Sequence, residues 1–418
     1  MNAISHQYSR FLAAVGARQY APQKKFLRQA VGGILSRRSV LLSEIGRALK
    51  EPFDLIQTEK RLSRNLGSKR FDDYAIEQDY LQAVAPFLRD PEHRVPTIAV
   101  DLTDIHKTRA RVMPNLAKVR DGSTGDIVNG YEIVSIEAVG DNGRRLPLCS
   151  RLFSHVEDVF KSEHDVVANA IRHVQPYVPR EAVWVFDRGF EGRHYLQTFK
   201  DCGLRFAVRL TVPEHDEARG HQQRQRNLYI DGVKHRIRDA VESVAMRHEF
   251  RCRKFSAKAK RSWRLQVGWI SEVQLQGYTP SGWASGPGAE VYSLVVVRGT
   301  GKEPLVVLTN VAVRNAQDAQ QVADSYMERW GVEEAHRLTK QAFDLEDMRA
   351  LTWTGLRRLV LLAMLAYGFL AVLVHGSRDQ VENIARSFRA FGPVPVYMFY
   401  RLLEGIGRLI GPTFRGGP

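Results

Sequence analysis

The sequence predicts an α/β fold whose core is interrupted by a β-rich insertion and flanked by helical N-terminal and C-terminal regions. Three observations carry this expectation. Strand-like apolar runs alternate with helical patterns from residue 97 to 210 and resume at 304. Both ends of the chain read as helix with few strand signals. The stretch from about 213 to 302 is polar, contains glycine and carries β-like pieces.

At 418 residues the chain is long enough for two or three domains with their own cores. A formal net charge of +15 and a pI near 9.8 point to a polyanionic partner. Nucleic acid is favoured over an anionic membrane surface, which usually needs a separate amphipathic anchor. Cys149, Cys202 and Cys252 stand far apart without CxxC or CxxH spacing, which argues against a zinc site or a disulfide framework and fits a reducing cytoplasm. The N-terminus has no signal-peptide pattern, and the longest apolar run, residues 359–374, is 16 residues, short of a bilayer span. No membrane segment is therefore expected. No P-loop occurs, which argues against a nucleotide cofactor.

Residues 1–92 form the first predicted region, a helical DNA-binding domain. Residues 39–49 read as a capped helix and 55–66 as a second, joined by a short turn, which resembles a helix-turn-helix. That geometry offers Gln57, Lys60, Arg61 and Arg64 to the major groove; the competing reading is a helical bundle with a basic outer face. Strands follow at 97–101, 131–139 and 145–153, then a helix at 163–174, a strand at 182–187, a helix at 191–200 and a strand at 204–210. This is the element order of an RNase H-like core, expected in two parts, 93–212 and 303–350, around the insertion at 213–302. In the insertion, residues 248–264 carry seven Lys/Arg against one acid, interleaved with Phe250, Phe255 and Trp263, a composition suited to DNA contact. Residues 351–418 read as a helical C-terminal region that either covers the core or builds a dimer contact.

Asp101 is expected to end the first strand and Asp187 the fourth, side by side in a parallel arrangement. A helix read through residues 325–340 adds Glu333. At about 100° per residue, Tyr326, Arg329, Glu333 and Lys340 would share a stripe roughly 60° wide, one carboxylate flanked by two cations and a phenol. Three converging carboxylates are what two-metal phosphoryl transfer requires. Asp104 is the strongest rival ligand, with Glu334 and Glu328 behind it. His106 and His336 read as surface histidines, and Lys107 and Arg109 as phosphate contacts or solvated cations.

The spacing Tyr326, Arg329, Glu333, Lys340 resembles the Y-(2)-R-(3)-E-(6)-K signature of bacterial insertion-sequence DDE transposases of the cut-and-paste type. The block Val185 to Phe190 around Asp187 and the β-rich insertion before the glutamate are also similar. The resemblance implies a Mg²⁺-dependent transposase, Mn²⁺ substituting, in which Asp101, Asp187 and Glu333 are catalytic and hold the metal. It implies that Tyr326, Arg329, Lys340 and Arg188 contact DNA and that Trp263, Trp269 or Trp283 stacks on a flipped base. It further implies terminal inverted repeats and target DNA as double-stranded partners, a homodimer in a synaptic complex, hairpin intermediates and a bacterial cytoplasmic, nucleoid-associated location. The alternatives are a structure-specific RNase H-like nuclease and a domesticated DNA-binding regulator.

Overall fold

The computed structural model describes residues 3–122, 124–140, 144–212, 227–253, 262–275, 290–376, 381 and 398–415, leaving aside the side chains of residues 253, 262, 333–335 and 412. Phe255, Trp283 and the side chains of Glu333 and Glu334 thus lie outside the described residues. In chain order the elements are α1 (Ala3–Val15), α2 (Ala21–Arg37), α3 (Leu42–Leu49), α4 (Leu55–Leu66), α5 (Asp73–Leu88), β1 (Thr97–His106), β2 (Ala117–Arg120), β3 (Ile127–Val139), β4 (Arg145–Phe153) and α6 (Glu163–Val174). They continue with β5 (Val183–Phe186), α7 (Arg193–Asp201), β6 (Arg205–Arg209), β7 (Asn227–Ile230), β8 (Val233–Arg236), α8 (Ile237–Ser243), β9 (His248–Arg253), β10 (Ser262–Leu275), β11 (Tyr292–Arg298), β12 (Leu305–Thr309), α9 (Ala316–Glu328), α10 (Val332–Arg337), α11 (Trp353–Gly376) and α12 (Phe399–Arg415). The architecture is mixed α/β. It divides into two compact units, one of residues 1–96, 101–179 and 332–418, the other of residues 97–100 and 180–331.

The first unit is organised around α11. This helix is 24 residues long, and its most apolar window has a mean hydropathy of 2.2, enough by length and composition to cross a bilayer. That window is 83% buried, against α2, α4, α5 and β4, which makes α11 a core helix, apolar on every side because every side is covered. Its span exceeds the 16-residue apolar run because Trp353 to Arg358 extend the helix at its N-terminus. α12 buries Leu402, Ile406, Ile410 and Phe414 and packs on α2, so the C-terminal helices cover the core. Gly368 is required for this packing: a Cβ there would lie 2.6 Å from the hydroxyl of Tyr80, which donates to the carbonyl of Pro147 at 2.5 Å.

Two buried polar groups fix α11. Arg358, 5% exposed, donates from Nε to Asp73 (2.7 Å), from Nη1 to the carbonyls of Leu66 (2.6 Å) and Ser68 (2.8 Å), and from Nη2 to that of Phe71 (2.7 Å). It therefore satisfies the Leu66 carbonyl, which α4 itself leaves open, and ties down two carbonyls of the segment that follows the helix. Tyr367 donates to Glu137, which also accepts from Arg145 at 3.1 Å; burial raises the Glu137 pKa, against the pull of Arg145. α3 starts at Leu42 and not at Ser39: the Ser39 hydroxyl accepts from the Leu41 amide (3.3 Å), outside the helix.

In the same unit β3 pairs antiparallel with β2 along residues 127–130 and with β4 along 132–139, and it neighbours β1. β2 has no counterpart in the sequence reading, because a four-residue strand gives too short an alternation to register. The strand that leads to Asp187 is consequently the fifth and not the fourth. β1 runs on to His106, so Asp101 lies within its strand and does not end it.

The second unit is a mixed sheet. The start of β1 pairs parallel with β5 (Ile98 with Trp184 to Val100 with Phe186), and β5 pairs parallel with β6. β12, β11 and β10 continue from β6 antiparallel, β9 and β7 pair with β10, and β8 pairs with β7. β12 is buried along its whole length, as a strand read as a continuous apolar run should be; α9 packs on β5, β6, β10, β11 and β12. Phe199 of α7 stacks on Phe186 with centroids 3.9 Å apart, which anchors the end of β5. The region expected to be β-rich, with a poor helical reading, also holds the short helix α8, whose Ile237, Ala240 and Val241 are buried at helical spacing.

Candidate active site

Asp187 follows β5 at the N-cap of a single 3₁₀ turn, Arg188–Phe190, closed by a hydrogen bond from the Phe190 amide to the Asp187 carbonyl at 3.0 Å. Phe190 is buried against Tyr195 and Phe186, which pins the turn and leaves the Asp187 side chain one-third exposed. Tyr326, at the end of α9 and fully buried, donates to Asp187 Oδ1 at 3.4 Å. Arg329, 6% exposed, sets Nη2 3.7 Å from the same oxygen. Burial pushes the Tyr326 phenol up to about 12; the Arg329 guanidinium opposes the rise and Asp187 adds to it, so the phenol is a neutral donor at ordinary pH. Arg188 is exposed.

Asp101 has different company. His336, the fifth residue of α10, holds Nδ1 3.7 Å from Asp101 Oδ2, and its Nε2 shares a hydrogen bond with the Ser135 hydroxyl at 2.7 Å. Ser135 Oγ also lies 3.5 Å from the Asp101 carbonyl. His336 is thus no surface histidine; its side chain is 16% exposed and sits in a small cleft with Thr103, Ser135, Ser150, Thr339 and Lys340, over Val360, Ala363 and Met364 of α11. His106 is likewise partnered: it pairs with Asp104, and its Nδ1 lies 3.7 Å from Asp121. The ligand atoms of Asp104, His106 and Asp121 lie within 4.8 Å of one another, close enough to hold a cation, as do those of Asp90, Glu92 and His93. Lys340 Nζ stands 3.9 Å from Asp104, which gives that acid a cationic neighbour.

The helix read through residues 325–340 is not a single α-helix. α9 stops at Glu328, Arg329–Gly331 is a 3₁₀ turn, α10 follows, and Leu338–Ala342 is a π-helical turn. The uniform 100° period behind the common stripe therefore does not run through the segment. Lys107 is neither solvated nor a phosphate contact: it is 7% exposed and donates to the carbonyls of Glu346 and, at 2.9 Å, Met348, and burial lowers it to about 8.

On α4, Gln57, Lys60 and Arg64 are exposed, whereas Arg61 is committed internally to Glu51 (2.7 Å) and Gln29 (2.9 Å). Trp263 is half-buried on β10 opposite Cys252, and Trp269 is a core residue with the Arg247 guanidinium 4.7 Å from its ring centroid. The residues that sequence reasoning missed are Ser135 and Asp121. The signal for Ser135 is weak, a hydroxyl in a strand run that also carries Glu132 and Glu137; Asp121, beside Gly122, reads as an ordinary turn residue.

The last registered pair of β1 and β5 is Val100 with Phe186, so Asp101 and Asp187 are each the next residue of their segments. A family model for a transposase DDE domain matches residues 150–369, more than half of the chain. The chain belongs to the transposase DDE domain family. The matched span of this transposase contains Asp187, Tyr326, Arg329, Glu333 and Lys340 and begins after Asp101. No curated protein matches it. Among solved structures it is similar to the piggyBac transposase synaptic complex with hairpin DNA, determined by cryo-EM, at 9% identity over 99% of this chain and 79% of that one, with a TM-score of 0.39.

Proposed function

We propose that this DDE transposase binds the terminal inverted repeats of a mobile element, cleaves the element ends hydrolytically through hairpin intermediates, and joins the 3′-hydroxyls to target DNA as a homodimer in a synaptic complex. The observation that carries the reading is the clamp on Asp187: Tyr326 and Arg329, two members of the expected signature, converge on the expected aspartate from 139 and more residues away. The parallel pairing of β1 with β5 and β5 with β6 in one unit, and the antiparallel pairing of β3 with β4 in the other, support an RNase H-like core in residues 93–212 and 303–350 around an insertion at 213–302.

In this reading Asp101, Asp187 and Glu333 hold Mg²⁺, with Mn²⁺ substituting. Both described carboxylates are partly exposed hard oxygen donors, 18% and 33%, which fits such a cation. The chemistry that bound Mg²⁺ supplies is charge neutralisation at the attacking and leaving oxygens of an in-line displacement. Arg329 and Tyr326 keep the Asp187 carboxylate in one orientation, and His336, braced by Ser135, does the same for Asp101. Lys340 and Arg188 contact phosphates near the scissile position. Residues 1–92 grip duplex DNA through Gln57, Lys60 and Arg64, Arg61 setting the turn before α4, while Trp263 stacks on an extruded base. No nucleotide cofactor and no membrane enter the scheme, and the protein works on the bacterial nucleoid.

The test is cleavage and strand transfer on a duplex carrying the element's own ends, comparing wild type with Glu333→Gln at matched DNA binding. Wild type cuts and joins in Mg²⁺, and the variant binds without doing either. A variant that still cuts removes Glu333 from the set and turns attention to Glu334 and Glu328; a wild type that cuts without joining makes the protein a nuclease.

A further inference from the structure

From Lys107 to Arg120 the chain carries five cations, Lys107, Arg109, Arg111, Lys118 and Arg120, and no acid. Lys107 is buried, but the other four are exposed, and at the tip of the loop Val112 is 94% exposed. The base of this loop is held firmly. The Lys107 amide donates to the Asn129 carbonyl (2.7 Å), Asn129 Nδ2 to the Ala110 carbonyl (2.8 Å), and the Tyr131 hydroxyl to the Pro114 carbonyl (2.7 Å). A second turn is tied to it by the same residues. Lys107 Nζ caps the carbonyls of Glu346 and Met348, and Tyr131 packs on Trp353 with centroids 5.4 Å apart. That turn, anchored by buried Leu345 and Met348, presents exposed Arg349 and Leu351, the latter 91% exposed. Its acids, Glu346 and Asp347, act on the ammonium of Lys107.

Single exposed aliphatic residues are common and call for no explanation. Here two stand almost wholly in water on turns pinned to each other, so the fold forgoes about 1.5–3 kcal/mol of burial at each. Apolar wedges flanked by arginines and lysines are the arrangement by which proteins pry open a base step while holding the neighbouring phosphates. We propose that this surface binds duplex DNA, with Val112 and Leu351 as wedges and Arg109, Arg111, Lys118 and Arg120 on the backbone. The proposal deepens the transposase reading, but it requires only that the protein grips a duplex, not that it cuts one.

The test uses the full chain and a mixed-sequence duplex containing 2-aminopurine, read by fluorescence across a salt series. Wild type raises 2-aminopurine fluorescence on binding. Val112→Ser with Leu351→Ser abolishes that rise and weakens binding by roughly tenfold, since unstacking is exchanged for contact at the wedge. Replacing the four exposed cations by glutamine lowers the log–log salt slope by about 3 to 4, close to 0.9 for each lost phosphate contact. Fluorescence and slope unchanged in variants that melt like wild type overturn the proposal. So does a change of sedimentation from dimer to monomer in the Val112 and Leu351 variant with DNA binding intact, which makes the surface a contact between copies. Wild type that unstacks this duplex yet fails to cut its own element ends leaves the inference standing while the transposase reading falls.

Discussion

Asp187 and Asp101 are held in opposite ways. Asp187 meets a cation: Arg329 lies 3.7 Å away, almost wholly buried, with a neutral phenol beside it. Asp101 meets the imidazole of His336, itself tied to a serine hydroxyl. The first arrangement sets a one-third exposed carboxylate against a buried guanidinium and a buried phenol. The second sets it against an imidazole that is itself hydrogen-bonded to a serine hydroxyl. The two aspartates therefore differ in what their loss of support should do to the protein.

The largest effect tests what they share. On the proposed metal site, Asp101→Asn and Asp187→Asn each lower Mg²⁺-dependent cleavage of element ends by at least ~10³-fold with DNA binding retained; retained cleavage in either variant removes that residue from the proposed site. The next separates them. Arg329→Ala destabilises the fold by about 2 kcal/mol, less than a fully buried pair because Asp187 is one-third exposed. His336→Ala melts within about 1 kcal/mol of wild type but raises the Mg²⁺ midpoint of cleavage roughly 10- to 100-fold, the usual consequence of losing a group that orients a ligand. Equal melting losses in the two variants would erase the contrast.

Smaller effects sharpen it. Tyr326→Phe removes one long hydrogen bond and lowers activity by no more than about tenfold. The phenol ionises at about 12 in the folded chain against 10.0 when free, so its contribution to stability is complete below pH 10 and is lost as pH rises through 12. Melting curves of wild type and Tyr326→Phe should approach each other across that window. Lys107 works with the other sign: at about 8 against 10.5, it leaves the unfolded chain holding the proton in between, so stability rises with pH from 8 to 10.5. Lys107→Met flattens that rise in a thermal melt series.

Several strands and helices were legible because their signals are local. β4 and α6 fall on the expected residues 145–153 and 163–174, and in the structure the Ser162 hydroxyl caps α6 by accepting from the Asp165 amide. The segment after Glu328 was misread because continuity of amphipathic pattern does not report a change of helical period, and the 3₁₀ turn ending at the buried Gly331 and the π turn after Arg337 leave the apolar spacing nearly intact. Partnerships over long separations were illegible altogether. Ser135 and His336 are 201 residues apart, and Lys107 meets Glu346 across 239, so a histidine and a lysine that look solvated in sequence are packed in the fold.

Arg358 has a mechanical consequence. Its guanidinium grips the carbonyls of Leu66, Ser68 and Phe71, the exit of the helix that presents Lys60 and Arg64. A pull on those cations is therefore transmitted along α4 to a rigid anchor inside α11, and not absorbed by a slack hinge. Any load on the outer face of α4 is borne by the longest helix of the core.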